Sequence, residues 1–330
     1  YIDAIGITTA DARFGDNVGH NSPINEGVLR GGSAEDVAGI VARICAICAG
    51  VQPLVTQDGP DAHPVWSPDG KYIAAGNMTA TGIELWVVNS ATGKATKIKN
   101  VLVNTAFGGF SWEDSRTISA TLVPSQRAQP PAYQNLTPTE PNIQETTGRT
   151  GAVQTFQDLL KSPNDENLFE YYATSQIALV DVNGKVRAIG KPAIYDSADF
   201  SPDGKYILVT RIKRPFSYLY PYNRFPKTVE VWDANGKVTK VIADVPLQDN
   251  LPVQGVPVGP RSLGWIPTEP ATLVWAEALD GGDPRKKVTP RDRLVKLAAP
   301  FEGDASELLK TEQRYQGRLF GERDGLMWFF

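Results

Sequence analysis

Short apolar runs, alternating or continuous and bounded by Gly, Pro, Asn and Asp, fill most of this chain: "KYIAAG" (71–76), "IELWVV" (83–88), "TISATL" (117–122), "QIALVD" (176–181), "KYILVT" (205–210), "VEVWD" (229–233) and "ATLVWAEA" (271–278). Their length and their turn-forming borders predict β-strands joined by tight turns. Two regions break that rhythm. Residues 124–169 are polar and proline-rich and then turn helix-like at "VQTFQDLL" (153–160), which predicts a long excursion from the sheet. Near the N-terminus, "GGSAEDVAGIVARICAICAG" predicts a helix over 33–49, with Ser33 as N-cap and Val37, Ile40, Val41 and Ile44 on one face.

The strands recur in a pattern. "VWSPDGKYIAAG" (65–76) returns as "DFSPDGKYILVT" (199–210) with SPDGKYI identical, and each copy leads into a second strand pair. Looser copies begin at "FSWEDSRTISATLV" (110–123) and "LGWIPTEPATLVWAEA" (263–278), and a last one begins at "GRLFGERDGLMWFF" (317–330). In each unit an aromatic (Trp66, Trp112, Phe200, Trp265) is expected to enter the core, a polar turn reverses the chain, and a β-rich run leads away. Repeats of four antiparallel strands, each burying a face on the next, predict an all-β fold: a β-propeller of four-stranded blades in an incomplete ring, with a short helical N-terminal segment. A β-sandwich is the rival, and it gives no reason for the turn motif to repeat. The domain boundary falls after residue 52: an atypical segment over 1–52, then a propeller over 53–330 that stops within its last blade.

Composition narrows the function. Thirty-three basic against 37 acidic side chains leave a net charge of −4, which gives no electrostatic case for nucleic acid or an anionic membrane. No apolar run approaches the roughly 20 residues that span a bilayer, so the chain is read as soluble, cytoplasmic or periplasmic. It opens at Tyr1 with no basic-then-apolar leader, and any targeting segment is expected to lie outside it. Cys45 and Cys48 are the only cysteines and cannot form a multi-bridge framework.

The stretches "QTFQDLLKSPNDENLFEYYATSQIALVD" (154–181), "RPFSYLYPYNRFPKTVEVWD" (214–233), "GPRSLGW" (259–265) and "VWAEALDGGDPRKKVTPRD" (274–292) resemble the N-terminal propeller of the glutamyl endopeptidases, a branch of the prolyl oligopeptidase family of serine peptidases. The resemblance implies a propeller followed by an α/β-hydrolase domain carrying Ser, Asp and His, cleavage after glutamate, and a propeller that restricts access to small or unfolded substrates. A G-x-S-x-G nucleophile elbow with a downstream His is absent; "GPRSLG" has the wrong spacing, and His20 and His63 are the only histidines. The chain is therefore expected to be a non-catalytic piece that gates access and helps recognise a substrate glutamate. Its partners are then a peptide and the α/β-hydrolase domain of the same parent chain. The alternative is a stand-alone propeller serving as a protein- or ligand-binding scaffold.

Under the resemblance, Arg214, Arg224 and Arg261 are the candidate readers of a substrate carboxylate, because a guanidinium fork matches a carboxylate in shape and charge. Tyr218, Tyr220 and Tyr222 are expected to wall that pocket. The competing reading has the same arginines stacking on rings or pairing with acids to hold a loop in shape. The charged stretch 280–292 reads as a solvated hairpin without calcium-ligand spacing, and Asp69 and Asp203 read as turn caps. Cys45 and Cys48 sit in a string similar to the R-x-C-x-x-C region of nickel-iron hydrogenase large subunits. That family needs a second cysteine pair, which this sequence lacks, so a metal-free helix ranks above a metal site and no cofactor is expected.

Overall fold

The computed structural model describes residues 64–132, 156–248, 251–252, 254–321 and 327–329. The helix expected over 33–49, Cys45, Cys48, His20, His63 and the boundary after residue 52 lie outside these residues. The described part is built of antiparallel sheets and one α-helix, and it divides into two compact units.

The first unit takes the described residues up to Arg127 together with Ala173–Ala193. It opens with β1 (Val65–Trp66), β2 (Tyr72–Thr79), β3 (Gly82–Asn89) and β4 (Ala95–Lys97), which form a sheet in chain order. It continues with β5 (Phe110–Trp112), β6 (Thr117–Leu122), β7 (Thr174–Asp181) and the leading part of β8 (Val186–Phe200), again neighbours in chain order. Ala74, Leu85 and Val87 of the first set pack with Ile118 and Val180 of the second in one buried cluster. The first strands of the two sets also meet, because Trp112 Nε1 donates to the Val65 carbonyl at 2.8 Å.

The second unit repeats this plan. It holds the end of β8, then β9 (Tyr206–Ile212), β10 (Lys227–Asp233) and β11 (Val238–Val245), followed by a sheet of β12 (Arg261–Trp265), β13 (Thr272–Ala278), β14 (Asp292–Ala298) and β15 (Ser306–Thr311). A short pair follows, β16 (Arg318–Phe320) with β17 (Met327–Phe329). Leu208 and Val231 pack with Leu273, Trp275 and Val295, and Trp265 Nε1 donates to the Asp199 carbonyl at 3.0 Å, repeating the Trp112 contact. Strands β6, β9 and β13 carry runs of three to five consecutive buried residues, whereas β4, β11 and β15 are largely exposed. Consecutive burial means that both faces of a strand are covered.

Two expectations need correction. Strand β8 is 15 residues long and neighbours both β7 and β9, so β5 to β11 follow one seven-stranded order where separate four-stranded sets were expected. Only Ile194–Phe200 of β8 pairs with β9. Of the helix expected at 153–160, residues 153–155 lie outside the described residues and 156–160 are irregular; the helix α1 runs instead over Pro163–Ala173. Its start follows ordinary helix-end chemistry. Ser162 Oγ accepts from the Asp165 N–H at 3.2 Å, Pro163 takes the first helical position, and Asp165 and Glu166 meet the positive end of the helix dipole. Trp66, Trp112 and Trp265 are half-buried and pack against the core clusters, and Phe200 is half-buried as well.

The identical turns are held by identical bonds. Ser67 Oγ donates to Asp69 Oδ1 (2.9 Å) and accepts from the Tyr72 N–H (3.0 Å), while Asp69 Oδ1 accepts from the Lys71 N–H (3.1 Å). Ser201, Asp203, Lys205 and Tyr206 repeat this at 2.7, 3.0 and 3.1 Å. Gly70 and Gly204 sit at φ of 69° and 68°, where a side chain is strained. A second repeat occurs in "ELW" and "EVW": the Trp86 and Trp232 indoles donate to Glu84 and Glu230, and each carboxylate meets a cation on a neighbouring strand, Lys97 of β4 or Arg211 of β9. Residues two apart on a strand share a face, which makes this bond possible.

Ser201→Ala removes the two bonds made by its hydroxyl in the second turn and is expected to lower stability by about 1–2 kcal/mol, read from urea unfolding midpoints. Gly204→Ala meets open space, so its expected cost of about 1 kcal/mol is conformational. The Lys71 side chain, bonding to the Asp69 carboxylate, holds that carboxyl down to about 2. The stability it contributes is complete above the unfolded carboxylate range near ~4 and drains away as pH falls through about 2; Asp69→Asn should remove that part of the acid transition.

Candidate functional site

The loop between β9 and β10 carries the candidate arginines 214 and 224 and the three tyrosines, and it folds on itself. Ser217 Oγ accepts from the Leu219 and Tyr220 N–H groups, a 3₁₀ turn covers Tyr222–Arg224, and the Phe225 N–H closes onto the Tyr222 carbonyl. Phe216 stacks on Phe225 with ring centroids 5.3 Å apart, and Phe169 of α1 meets both edge-on at 5.0 and 5.7 Å. Aromatic contacts of this geometry stabilise beyond the area they bury. The helix of the excursion is thus the wall against which the loop is set.

Arg214 locks that wall. Its guanidinium donates to Glu166 and to Glu170 (2.8 Å), both on α1, and lies 4.7 Å above the Phe216 ring. Arg224 lies between the Phe156 and Tyr220 rings, 5.3 and 4.9 Å from their centroids. Tyr220 is buried, whereas Tyr218, Tyr222 and above all Leu219 are exposed. Tyr222 faces Lys227, and Tyr218 is beside Glu166. The three tyrosines therefore do not share one face.

Arg261 stands apart from that loop, at the start of β12, in a buried ion centre. Asp292 is fully buried and accepts from Arg314 (2.5 Å) and from the Tyr315 N–H (2.7 Å), while Arg261 Nη2 lies 2.8 Å from its Oδ2. Asp280, also buried, accepts from the Gly282 N–H at 2.8 Å and from Arg291 and Arg314. Burial pushes the Asp280 carboxyl up, but the bonds from Arg314 and Gly282 and the charge of Arg291 outweigh it and leave the group below its usual range. The reading of 280–292 as a solvated hairpin is corrected at both ends. Between them Arg285, Lys286 and Lys287 are exposed, and Arg285 grips Asp283 side-on through Nε and Nη2, both bonds 2.9 Å. The sequence reading missed Arg314 and Arg318, which lie more than twenty positions from the aspartates of "DGGD" and "PRD" and carry no local signal.

Among the described residues no three His, Cys, Asp or Glu side chains gather closely enough to hold a metal ion, and no helix is long and apolar enough to cross a membrane. The chemistry on offer is ionic and aromatic.

Asp292→Asn should cost about 3–5 kcal/mol, since it leaves buried guanidinium charge uncompensated. Arg214→Ala removes a half-exposed pair, so its expected cost is only about 1 kcal/mol; the clearer readout is faster proteolytic cleavage within α1.

The sequence is 38% identical over 266 residues to a probable chloroplastic glutamyl endopeptidase of Oryza sativa subsp. japonica, and 39% identical over 265 residues to that of Arabidopsis thaliana. Each match covers 76% of this chain, and the chain spans 28% and 27% of those relatives' lengths. Similar solved structures include an acylaminoacyl peptidase of Pyrococcus horikoshii (18% identity, TM-score 0.40, 82% of this chain and 35% of that one). The β-propeller domain of the Trilobed protease from Pyrococcus furiosus matches at 15% identity and TM-score 0.38, over 82% and 62% of the two chains. No protein-family model matches the sequence. By its identity to the two plant enzymes over three-quarters of its length, the chain belongs to the glutamyl endopeptidase family.

Proposed function

We propose that this chain is the β-propeller portion of a glutamyl-endopeptidase-type serine peptidase, that it restricts which substrates reach the catalytic residues, and that it helps to recognise a substrate glutamate. The observation that carries the reading is the identity of 38–39% to the two plant enzymes. Support for blades comes from the sheets that follow one another in chain order, the inner strands buried on both faces, and the recurring Trp bond between first strands of successive sets. In such a ring the strand ends line a passage that admits an extended peptide and excludes a folded domain. Catalytic Ser, Asp and His come from the rest of the parent chain.

Glutamate recognition asks for a desolvated guanidinium, and the three candidate arginines differ in how well they supply one. Arg214 is 43% exposed and already holds two glutamates, and Arg224 is spread over two rings. Arg261 is 10% exposed and stands in an arginine-rich centre. It is the best placed of the three, because a charge-assisted bond strengthens where water is withdrawn.

The test is made on the full-length parent protein with matched peptides carrying Glu or Gln and with a stably folded protein. The parent should cleave after Glu in short peptides, discriminate against Gln by at least tenfold, and spare the folded protein; the 330-residue chain alone should cleave nothing. A parent that shows no peptidase activity, or that cleaves the folded protein as fast as the peptide, overturns the reading.

A further inference from the structure

We propose that Arg318 is the releasable catch of a latch that holds the β16–β17 pair against the sheet of β12 to β15, so that the pair opens as a unit while the segment leading into it stays pinned.

The pair has little of its own to hold it. It consists of two strands of three residues each, and among the described residues no ladder joins it to β12, β13, β14 or β15. An isolated two-stranded ribbon is marginal in water. Leu319 is exposed, while Phe329 packs beside Ala276, Leu294 and Tyr315.

Two nearby arginines tie the pair down, and they differ in kind. Arg314 bonds to Asp280 and Asp292, both buried, and the neighbouring Tyr315 N–H donates to Asp292 at 2.7 Å. Breaking such a pair leaves a buried charge uncompensated, so this end is an anchor. Arg318 makes no ion pair with a described residue. Its Nη1 donates to the Ser262 carbonyl and, at 3.3 Å, to the Tyr315 hydroxyl, both neutral acceptors, and its Nε is shielded from solvent without a partner. A guanidinium seated in this way regains water when it leaves and strands no opposite charge behind it. Tyr315 joins the two ends, with its N–H on the anchor and its hydroxyl on the catch.

Strand β12 is shaped to receive the catch. It slips register against β13 between Arg261 and Gly264, and Ser262 in this bulge sits at φ 51°, a conformation that L-residues rarely adopt and that persists where the surroundings hold it. The bond from Arg318 to the Ser262 carbonyl is one such hold, so its release lets the bulge relax and favours opening. A Cβ on Gly264 would come within 3.0 Å of Arg318 Nη2, and the glycine leaves that space to the guanidinium.

The test is hydrogen exchange of the whole 330-residue chain, read by mass spectrometry on peptides covering β13, β14 and β16. In the unaltered chain β16 should exchange faster than β13 and β14. Arg318→Gln should speed exchange of β16 by about tenfold or more and leave β13 and β14 unchanged, because a local opening exposes only its own strands. Gly264→Ala crowds the guanidinium and should do the same, and the two substitutions together should add nothing further, since both act on one catch. Arg314→Met should speed exchange of β14 as well, because Asp292 begins that strand. Protection of β16 equal to that of β13, unchanged exchange of β16 in Arg318→Gln, a rise shared equally by all three strands, additive effects in the double variant, or an Arg314→Met effect confined to β16 overturns the proposal.

Discussion

Coverage of both faces of the inner strands is the constraint on which the rest of the structure depends. Strands β9 and β13 bury consecutive residues, so a polar side chain on these sheets must find its partner there, as Glu230 does with Arg211 and Trp232, and every backbone donor must be met within the sheet. Polar chemistry is driven to the strand ends. The turns, the aromatic loop between β9 and β10 and the ion centre all lie there, and each is internally bonded because a poorly closed end would expose the strands it joins.

This explains which features could be read from the amino-acid sequence. The SPDG turns were legible because their chemistry is local: a hydroxyl, a carboxylate and a glycine within four residues fix both the bend and its bonds. Strand positions were legible for the same reason. The long β8 was not, since "VRAIGKPAIYDSADF" contains a Gly and a Pro that ordinarily end a strand, and only pairing on either side carries the chain past them. Helix α1 could have been placed, because Ser162-Pro163 followed by Asp165 and Glu166 is a start signal; the apolar spacing of 153–160 drew attention to the wrong segment.

The candidate site divides along the same line. That Arg214 and Arg224 would lie among rings follows from their immediate neighbours, and it is so. That Asp280 and Asp292 are buried does not follow from "DGGDPRKKVTPRD", where lysines and arginines suggest solvent. Their burial is imposed by Arg314 and the Tyr315 N–H, residues more than twenty positions downstream, and pairings of that separation are invisible to a local reading.

The contrast between Arg214 and Arg261 bears on how a protein selects an acid. A substrate carboxylate arriving at Arg214 would have to displace Glu166 or Glu170, trading one carboxylate for another in largely solvated surroundings, where an ion pair is worth about 0–1 kcal/mol. Such an exchange gives almost no preference for Glu over Gln. At Arg261 the surroundings are the opposite: its guanidinium is 10% exposed and stands 2.8 Å from the fully buried Asp292 carboxylate, so any acid arriving there would compete with a partner already withdrawn from water, where a charge-assisted bond is stronger.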